Sequence, residues 1–203
     1  MFSNRIAIVT GGGSGIGRAV CQILAKENGS VVVADINLKN VNETVNILNN
    51  PNNHLPVEVD VSNLKSVNAM FEHVSKRFGS NSVACALANC AGITRDSWML
   101  DMTEENFNQV IDVNLKGTFF TTQQFCKRII GSNKPGSIVN ISSVSAKIGN
   151  IGQANYVASK AAVEGFSRTV AREMGRYNIR CNAIIPGFIQ TPMIETVPDK
   201  GKI

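Results

Sequence analysis

The stretch Thr10-Gly11-Gly12-Gly13-Ser14-Gly15-Ile16-Gly17 lies between a short apolar run, residues 5–10, and a helical pattern that begins near Arg18. Glycine permits a tight turn and a close approach of the backbone to a pyrophosphate, and a helix that begins here adds free N–H groups and a partial positive charge. In this strand–loop–helix setting, the spacing Gly-x3-Gly-x-Gly predicts a nucleotide-binding loop. The predicted contacts in the loop are Gly11, Gly13, Ser14, Gly15, Ile16 and Gly17.

Short β-rich runs alternate with helical patterns along the chain. We predict strands at 5–10, 30–35, 55–60, 83–88, 136–142 and 179–185, and helices at 15–27, 38–49, 63–78, 103–131 and 155–177. Strands separated by helices indicate βαβ units and a parallel sheet. The runs 31–34 and 183–185 are apolar at successive positions, as expected for strands covered on both faces. We therefore predict one α/β domain, residues 1–203, with a three-layer, doubly wound parallel sheet.

The composition is that of an ordinary globular domain. Of the 203 residues, 43% are apolar and 17% charged, and no apolar run reaches the ~20 residues of a membrane span. The five cysteines are scattered and form no Cys-x-x-Cys pair, which indicates buried thiols in a reducing compartment. The two histidines, His54 and His73, have no acidic or cysteine neighbours at ligand spacing, so no metal site is predicted.

The net charge of +5 is unevenly distributed. Between residues 125 and 194, basic side chains outnumber the acidic Glu164 and Glu173, so this half is predicted to carry positive potential. The positive side chains form either a solvated helix face or a surface for an anionic ligand or partner. No basic tract interleaved with aromatic residues is present, and nucleic acid is not a predicted partner.

Asp35 is the acidic residue at the end of the second predicted strand, and Ile36 follows it. A carboxylate at this place accepts hydrogen bonds from an adenosine ribose and repels a 2′-phosphate. Ser14 occupies a loop position where a basic residue could have paired with that phosphate. Both features favour NAD(H) over NADP(H), although Asp35 could also be a simple cap at the end of the strand.

Further candidate ligand contacts follow the third and fourth strands. Asp60 and Val61 end the third strand and are predicted to meet an adenine ring, the first through its carboxylate and the second through packing. In Asn89-Cys90-Ala91-Gly92 the small residues let the backbone approach a cofactor, with Asn89, Ala91 and Gly92 as predicted contacts. In a doubly wound sheet, ligands collect at the carboxyl ends of the strands.

Tyr156 and Lys160 lie four residues apart, on one face of a predicted helix. A fixed ammonium beside a phenol favours the phenolate and lowers the phenol's pKa. The pair is a candidate acid–base device for a carbonyl oxygen, and the alternative is an ordinary pair on a helix surface. Ser143 could hydrogen-bond a substrate carbonyl, and Asn114 could loosen its helix and hold a water molecule. Without context, either residue is more often a cap or turn residue.

The order of these motifs resembles that of the classical short-chain dehydrogenases/reductases, a family with a Rossmann-type fold. The match comprises Thr10-Gly-x3-Gly-x-Gly17, Asn89-x-Ala-Gly92, Asn114, Ser143, Tyr156-x3-Lys160 and Pro186-Gly187. The resemblance implies four catalytic roles: proton donor or acceptor (Tyr156), pKa-lowering and ribose-binding cation (Lys160), substrate orientation (Ser143) and water anchor (Asn114). It also implies cofactor contacts at Ile141, Tyr156, Lys160, Pro186, Gly187, Ile189 and Thr191.

Within that family, two stretches resemble 3-oxoacyl-[acyl-carrier-protein] reductases: Gly136–Ser143 and Gly149–Lys160. Others, such as residues 186–193, resemble mitochondrial 17-beta-hydroxysteroid dehydrogenases. The resemblance implies NADH-dependent reduction of 3-oxoacyl thioesters. The alternatives are oxidation of hydroxysteroids or other secondary alcohols, and a cofactor-binding structural subunit. It further implies an acyl carrier protein as a partner, and a homotetramer or heterotetramer.

The two ends of the sequence carry expectations of their own. Because residues 5–10 already form a predicted strand, no targeting peptide fits in front of it; the expected location is the cytoplasm or, by the resemblance, the mitochondrial matrix. The chain stops at Ile203, whereas the family pattern continues into a substrate-covering helix and a seventh strand. We therefore expect the 203 residues alone to have an open substrate site, an exposed sheet edge and poor stability.

Overall fold

The computed structural model describes residues 2–79 and 82–192. In chain order the main elements are β1 (Ile6–Thr10), α1 (Gly15–Lys26), β2 (Ser30–Asp35), α2 (Leu38–Asn46), β3 (Leu55–Glu58), α3 (Leu64–Phe78), β4 (Ala86–Asn89), α4 (Glu104–Ile111), a π-helix (Asp112–Gly117), α5 (Thr118–Ser132), β5 (Gly136–Ile141), α6 (Ser145–Ile148), α7 (Ala154–Met174) and β6 (Ile179–Ile184). All six predicted strands are present. The boundaries differ most at β4, which begins at Ala86 instead of residue 83.

The six strands form one parallel sheet in the order β3-β2-β1-β4-β5-β6. The predicted α/β, Rossmann-type doubly wound fold is therefore confirmed. Within the described residues no strand follows β6, and residues 193–203 lie outside that description. The order of strands reverses between β1 and β4, so the helices that follow these two strands leave on opposite faces. Such a reversal opens a crevice at the carboxyl ends of the strands.

Apolar side chains fill the space on both faces of the sheet. One cluster contains Ile8, Leu87 and Ile138, and the other contains Val9 and Val33. The run 31–34 is completely buried, as its sequence predicts. The prediction that 183–185 is covered on both faces is wrong, because Ile184 and Ile185 are 50% and 42% exposed. β6, which ends at Ile184, lies at the edge of the described sheet, and α7 packs against it.

None of the helices in 2–79 and 82–192 combines the length and apolar character needed to cross a bilayer. The same part of the chain has no group of three or more His, Cys, Asp or Glu side chains that could hold a metal ion. His54 is buried between strands: its Nδ1 accepts from the Val31 N–H at 3.1 Å, and its Nε2 lies 2.8 Å from the Asn49 carbonyl oxygen.

Candidate active site

The glycine-rich loop between β1 and α1 is packed too closely for side chains. A Cβ on Gly17 would lie 2.1 Å from the Gly11 carbonyl oxygen, and a Cβ on Gly11 would lie 2.7 Å from the Ala91 nitrogen. Gly11 also has a φ of +65°, which favours glycine. Ser14 precedes α1 without a side-chain capping bond. The first turn of α1 therefore presents backbone N–H groups beside a loop whose glycines carry no side chains.

A cleft of about 310 Å³ opens beside this loop, at the carboxyl ends of the strands. The predicted contacts that line it are Gly11, Ser14, Gly15, Ile16, Gly17, Asp35, Ile36, Asp60, Val61, Ala91, Gly92 and Thr191. Five lining residues were not predicted: Val59, Cys90, Ile93, Val113 and Pro192. Val59 and Ile93 flank predicted contacts, so their neighbours were the available signal. Val113 precedes the predicted site residue Asn114, but its direction toward the cleft is set by the folded helix.

Asp35 lines the cleft at the end of β2. Its Oδ2 accepts from the Gly13 N–H at 3.0 Å, and its Oδ1 accepts from the Asn37 N–H at 3.1 Å. A Cβ on Gly13 would come within 3.0 Å of this carboxyl group, which explains the glycine there. The carboxylate thus ties the loop to the end of β2 and still lines the cleft. Its contact with a ribose stays a prediction.

Asn89 does not line the cleft, although it was a predicted contact. Its Nδ2 donates to Thr122 Oγ1 at 3.1 Å and to Asn140 Oδ1 at 2.8 Å, and its Oδ1 accepts from Thr121 Oγ1 at 2.8 Å. The side chain is 4% exposed. Its polar atoms are therefore used to fasten β4 to β5 and α5, beneath the cleft. Only its backbone remains available to a ligand.

Asn114 lies in the π-helix that interrupts the predicted helix 103–131. Its Oδ1 accepts from the Ile93 N–H at 2.8 Å, and its Nδ2 donates to the Ile93 carbonyl at 3.0 Å and to Ser159 Oγ at 3.0 Å. The wider π turn matches the expectation that Asn114 loosens its helix. The completely buried side chain joins the loop after β4 to α7. Its role as a water anchor stays a prediction.

Lys160 is the buried cation at the centre of the site. Its Nζ donates to the Ile141 carbonyl at 2.7 Å and lies 5.7 Å from the centroid of the Tyr156 ring. Burial lowers the pKa of Lys160 from 10.5 to about 8, and nearby Cys90 raises it slightly against that trend. A Cβ on Gly92 would lie 3.4 Å from Nζ. The ammonium therefore sits directly behind the cleft wall.

Tyr156 is half-buried near the start of α7. Burial raises the pKa of its phenol, the hydrogen bond with Ser143 lowers it, and the negative charge of Asp96 raises it. Because burial is the largest of these effects, the pKa of the phenol lies above its ordinary value in the protein without ligand, and the prediction of a lowered pKa is wrong. The physical reason is that Lys160 Nζ bonds to a backbone carbonyl, and that both groups lose hydration on burial.

Ser143 follows β5 and faces Tyr156. Its Oγ accepts from the Ser145 N–H at 3.1 Å, while its neighbour Ser142 donates to the Lys160 carbonyl at 3.0 Å and to Glu164 Oε1 at 3.2 Å. Glu164, which is 7% exposed, also forms an ion pair with Lys147 from α6. These bonds hold the loop after β5 against α7. They bring Ser143, Tyr156 and Lys160 together, with the Lys160 ammonium behind the cleft wall at Gly92.

The segment after β6 closes one side of the cleft. The Val144 N–H donates to the Pro186 carbonyl at 2.9 Å, and a Cβ on Gly15 would lie 3.1 Å from Thr191 Cγ2. Thr191 therefore covers the start of α1. Gly187 and the 46% exposed Ile189 do not line the cleft, so their predicted cofactor contacts are untested.

The cleft suits a dinucleotide on the chemistry of its walls. Side-chain-free backbone and a helix N-terminus suit a pyrophosphate, the Asp35 carboxylate suits a ribose, and Val61 gives an apolar wall for a ring. The acid–base group of Ser143, Tyr156 and Lys160 adjoins the cleft wall at Gly92, where the Lys160 ammonium lies. These are the parts that transfer of a hydride and a proton requires.

Gly17→Ala is expected to destabilise the protein by about 1–3 kcal/mol and to weaken nucleotide binding, because its Cβ would collide with the Gly11 carbonyl. Chemical unfolding and a nucleotide titration measure the two effects. Gly131→Ala is the control, since nothing lies within 4 Å of a Cβ at this helical position; it should be neutral or stabilising. A Gly17→Ala protein that binds nucleotide normally would contradict the close-packed loop.

Comparison with known proteins gives an independent result. Residues 5–202 match the family model described as short chain dehydrogenase. The chain is 44% identical over 203 residues to a human (3R)-3-hydroxyacyl-CoA dehydrogenase, covering 96% of this chain and 77% of the relative. It is 41% identical to the 3-oxoacyl-[acyl-carrier-protein] reductase FabG of Thermotoga maritima, over 99% of this chain and 80% of the relative. The FabG of Staphylococcus aureus is 38% identical, and the match covers 100% of this chain and 81% of the relative. The chain belongs to the short-chain dehydrogenase family, whose members are oxidoreductases that act on CH–OH groups with a nicotinamide cofactor.

Proposed function

We propose that this protein reduces 3-oxoacyl thioesters to 3-hydroxyacyl thioesters with NADH. The observation that supports the proposal is the convergence of Ser143, Tyr156 and Lys160, with the Lys160 ammonium directly behind the Gly92 wall of the dinucleotide cleft. The names of two kinds of relative support the substrate class, since one acts on 3-hydroxyacyl-CoA and the other on 3-oxoacyl groups on a carrier protein. Both names describe the same chemical couple, a ketone and a secondary alcohol beside a thioester.

Three residues of the chain, Ser143, Tyr156 and Lys160, act at the carbonyl oxygen of the substrate. A nicotinamide dinucleotide bound in the cleft supplies the hydride for the carbonyl carbon. The Ser143 hydroxyl hydrogen-bonds the carbonyl oxygen and holds it beside Tyr156. As charge builds on that oxygen, the phenol of Tyr156 donates its proton, and the product is an alcohol. Lys160 holds a positive charge behind the phenol, which stabilises the phenolate that proton donation leaves.

The pKa of Tyr156 supports the reductive direction. A phenol with the ordinary pKa of ~10 already holds its proton at neutral pH, and burial raises the pKa of Tyr156 further, so the proton that reduction needs is present. Oxidation of an alcohol needs the phenolate instead, and this form becomes available only as the pH rises. The same residues thus serve both directions, and the protonated phenol that is present at neutral pH is the form that reduction requires.

NADH is the proposed cofactor, with Asp35 as its discriminating residue. The cation nearest the loop, Arg18, is already engaged: its Nε donates to Thr44 Oγ1 at 2.9 Å, and its guanidinium lies 3.5 Å from a Glu43 carboxylate oxygen. A 2′-phosphate would therefore meet the Asp35 carboxylate without a free guanidinium to balance it.

Asp35→Asn is expected to raise kcat/KM for NADPH relative to NADH by about tenfold, or ~1.4 kcal/mol, because it removes the negative charge that repels a 2′-phosphate. Steady-state rates with both cofactors give the ratio. Asp60→Asn, on the same cleft, is the matched control and should leave the ratio unchanged. A wild-type protein that prefers NADPH would remove the assignment of Asp35.

Acyl carrier protein is the proposed partner that delivers the substrate. Lys134 and Arg176 are exposed basic residues in the half of the chain where positive charge is concentrated. Charge complementarity with an acidic carrier supports this surface. A tetramer is the proposed assembly, supported by the 38% exposed Phe119 and its ring contacts with Phe120 and Phe166, at 5.6 and 6.2 Å. The proposed location is the mitochondrial matrix, by the resemblance, or the cytoplasm.

The deciding experiment compares two reactions of the same preparation: reduction of acetoacetyl-CoA by NADH, and oxidation of estradiol by NAD. Fast thioester reduction is the expected result. Dominant steroid oxidation would replace the proposal with a hydroxysteroid dehydrogenase. If neither reaction proceeds while NADH still binds, the proposal fails, and a cofactor-binding structural subunit becomes the leading interpretation.

A further inference from the structure

The segment 95–97, which follows β4, is fastened to the start of the helix that carries Tyr156. Three hydrogen bonds make this connection: Asn155 Nδ2 to the Arg95 carbonyl (2.9 Å), Gln153 Nε2 to Asp96 Oδ2 (2.9 Å), and the Ser97 N–H to the Gly152 carbonyl (2.8 Å). The two donors on the helix side are buried, with Gln153 6% and Asn155 0% exposed. The Asp96 carboxylate is therefore held in place although the residue itself is exposed.

The same glutamine connects Asp96 to the loop that carries Ser143. Gln153 Oε1 accepts from Asn150 Nδ2 at 3.1 Å, and this amide also donates to Ser145 Oγ at 3.2 Å. The Ser145 N–H in turn donates to Ser143 Oγ at 3.1 Å. A continuous series of hydrogen bonds thus leads from Asp96 to the hydroxyl that faces Tyr156.

Few charged or titratable groups act on the phenol of Tyr156 within the described residues. Lys160 lies on its own helix, with Nζ 5.7 Å from the ring centroid. Asp96 acts from the loop after β4, and Ser143 supplies an uncharged hydroxyl from the loop after β5. Cys90 lies next to Lys160 on the cleft side, and burial keeps it a neutral thiol by raising its pKa to about 12. Asp96 is the negative charge of this set.

We propose that Asp96 is a positioning residue for proton transfer: through Gln153 it holds the segment after β4 against the start of α7, the helix that carries Tyr156, and it fixes a negative charge in that segment. The effect on turnover rests on the proposed function. The effect on Tyr156 itself does not.

The charge of Asp96 has a defined consequence for the phenol. A carboxylate near a phenolate disfavours it, so Asp96 raises the pKa of Tyr156 and keeps the proton on the oxygen that must donate it. Asp96 thereby opposes the ammonium of Lys160. Since Asp96 is exposed, solvent screens its charge, and its removal should shift the titration of Tyr156 without abolishing activity.

The chain permits a direct measurement, because Tyr156 and Tyr177 are its two tyrosines. In a Tyr177→Phe background, ultraviolet absorbance reports the ionisation of Tyr156 alone, and circular dichroism over the same pH range checks that the protein stays folded. Asp96→Asn keeps an oxygen that can accept from Gln153 but removes the charge. We expect its titration midpoint to move to lower pH. Asp101→Asn removes another acid nearby in sequence and should leave the midpoint unchanged.

Steady-state kinetics test the positional role of Asp96, that is, its hydrogen bond with Gln153. In Asp96→Asn, the alkaline decline of thioester reduction and the rise of alcohol oxidation should both move to lower pH. Asp96→Ala also loses the hydrogen bond to Gln153, and its kcat/KM should fall by about tenfold. This loss is smaller than the ~10²-fold that a 1 Å displacement of a reacting group can cost. The loss should appear in kcat more than in KM, because the reacting group is displaced.

These measurements test the electrostatic role of Asp96, its positional role and the proposed function separately. An unchanged Tyr156 midpoint in Asp96→Asn would overturn the electrostatic part, and an unchanged kcat/KM in Asp96→Ala would overturn the positional part. A lower midpoint in a protein that does not reduce 3-oxoacyl thioesters would support the role of Asp96 beside Tyr156 and count against the proposed function.

Discussion

Replacing Tyr156 with phenylalanine is expected to lower turnover of a 3-oxoacyl thioester by about 10²- to 10⁴-fold, the usual contribution of a general acid. The substitution removes one oxygen and leaves a ring of nearly the same shape. Substrate oxygen then has Ser143 as its partner but no phenolic proton to take. NADH binding should be kept, because Tyr156 is not among the residues that line the 310 Å³ cleft.

The matched control for this prediction is Tyr177→Phe. Tyr177 packs against the apolar core, and the Arg176 guanidinium lies 4.8 Å from its ring centroid. Loss of its hydroxyl should leave turnover near the wild-type value. Steady-state rates and a fluorescence titration with NADH measure both variants. Near-normal turnover in Tyr156→Phe would remove Tyr156 as the proton donor, and a parallel loss of NADH binding would show that the change acts through structure.

The parts of the site that were predictable depend on short-range geometry. The glycine loop joins β1 to α1, and its requirement for glycine comes from contacts within the loop, such as Gly17 against Gly11. Asp35 was predictable in the same way, since a residue at the end of β2 must lie at the rim of the sheet. Tyr156 and Lys160 share a face of α7 because their spacing is close to one helical turn.

The direction of a buried side chain was not predictable in this way. Asn89 ends β4 as expected, but its amide points to Thr121, Thr122 and Asn140, which come 32 to 51 residues later. A motif locates the backbone of such a residue. It does not say whether the side chain faces a ligand or satisfies buried polar groups on other elements.

The electrostatics of the site depend on burial, which spacing does not reveal. The sequence places an ammonium one turn from a phenol and predicts that the phenol's pKa falls. In the folded protein, loss of hydration raises the pKa of Tyr156 and lowers that of Lys160. Desolvation penalises both charged forms, and it outweighs their mutual attraction here. The protein therefore holds a cation where the fold itself disfavours one.

Lys160→Met is for this reason expected to stabilise the protein while it destroys activity. Nζ is 2.7 Å from its carbonyl partner, the Ile141 oxygen, and its pKa falls from 10.5 to about 8 on folding. At neutral pH a shift of this size corresponds to a cost of about 3 kcal/mol. Methionine has a similar length without the charge. It leaves the Ile141 carbonyl without this donor, at a cost of about 1 kcal/mol, so the net gain is about 2 kcal/mol.

The pH dependence of unfolding distinguishes this cause from better packing. Since the folded-state pKa of Lys160 is below the unfolded value, the unfolded chain binds more protons between about pH 8 and pH 10.5. The free energy of unfolding of the wild-type protein should therefore contain a term that rises with pH across this window. The Lys160→Met protein should lack that term, and the stability difference between the two should shrink toward pH 10.5.

Chemical unfolding at several pH values tests the prediction, with Lys65→Met as the control. Lys65 is exposed on α3, so this substitution should change stability by no more than about 0.5 kcal/mol at any pH. Turnover of Lys160→Met should fall with that of Tyr156→Phe, because the phenolate left by proton donation loses its positive neighbour. A Lys160→Met protein that is less stable than wild type at neutral pH would show that the ammonium supports the fold. In that case Lys160 would be a structural residue, and its burial would not be a cost in folding stability that catalysis requires.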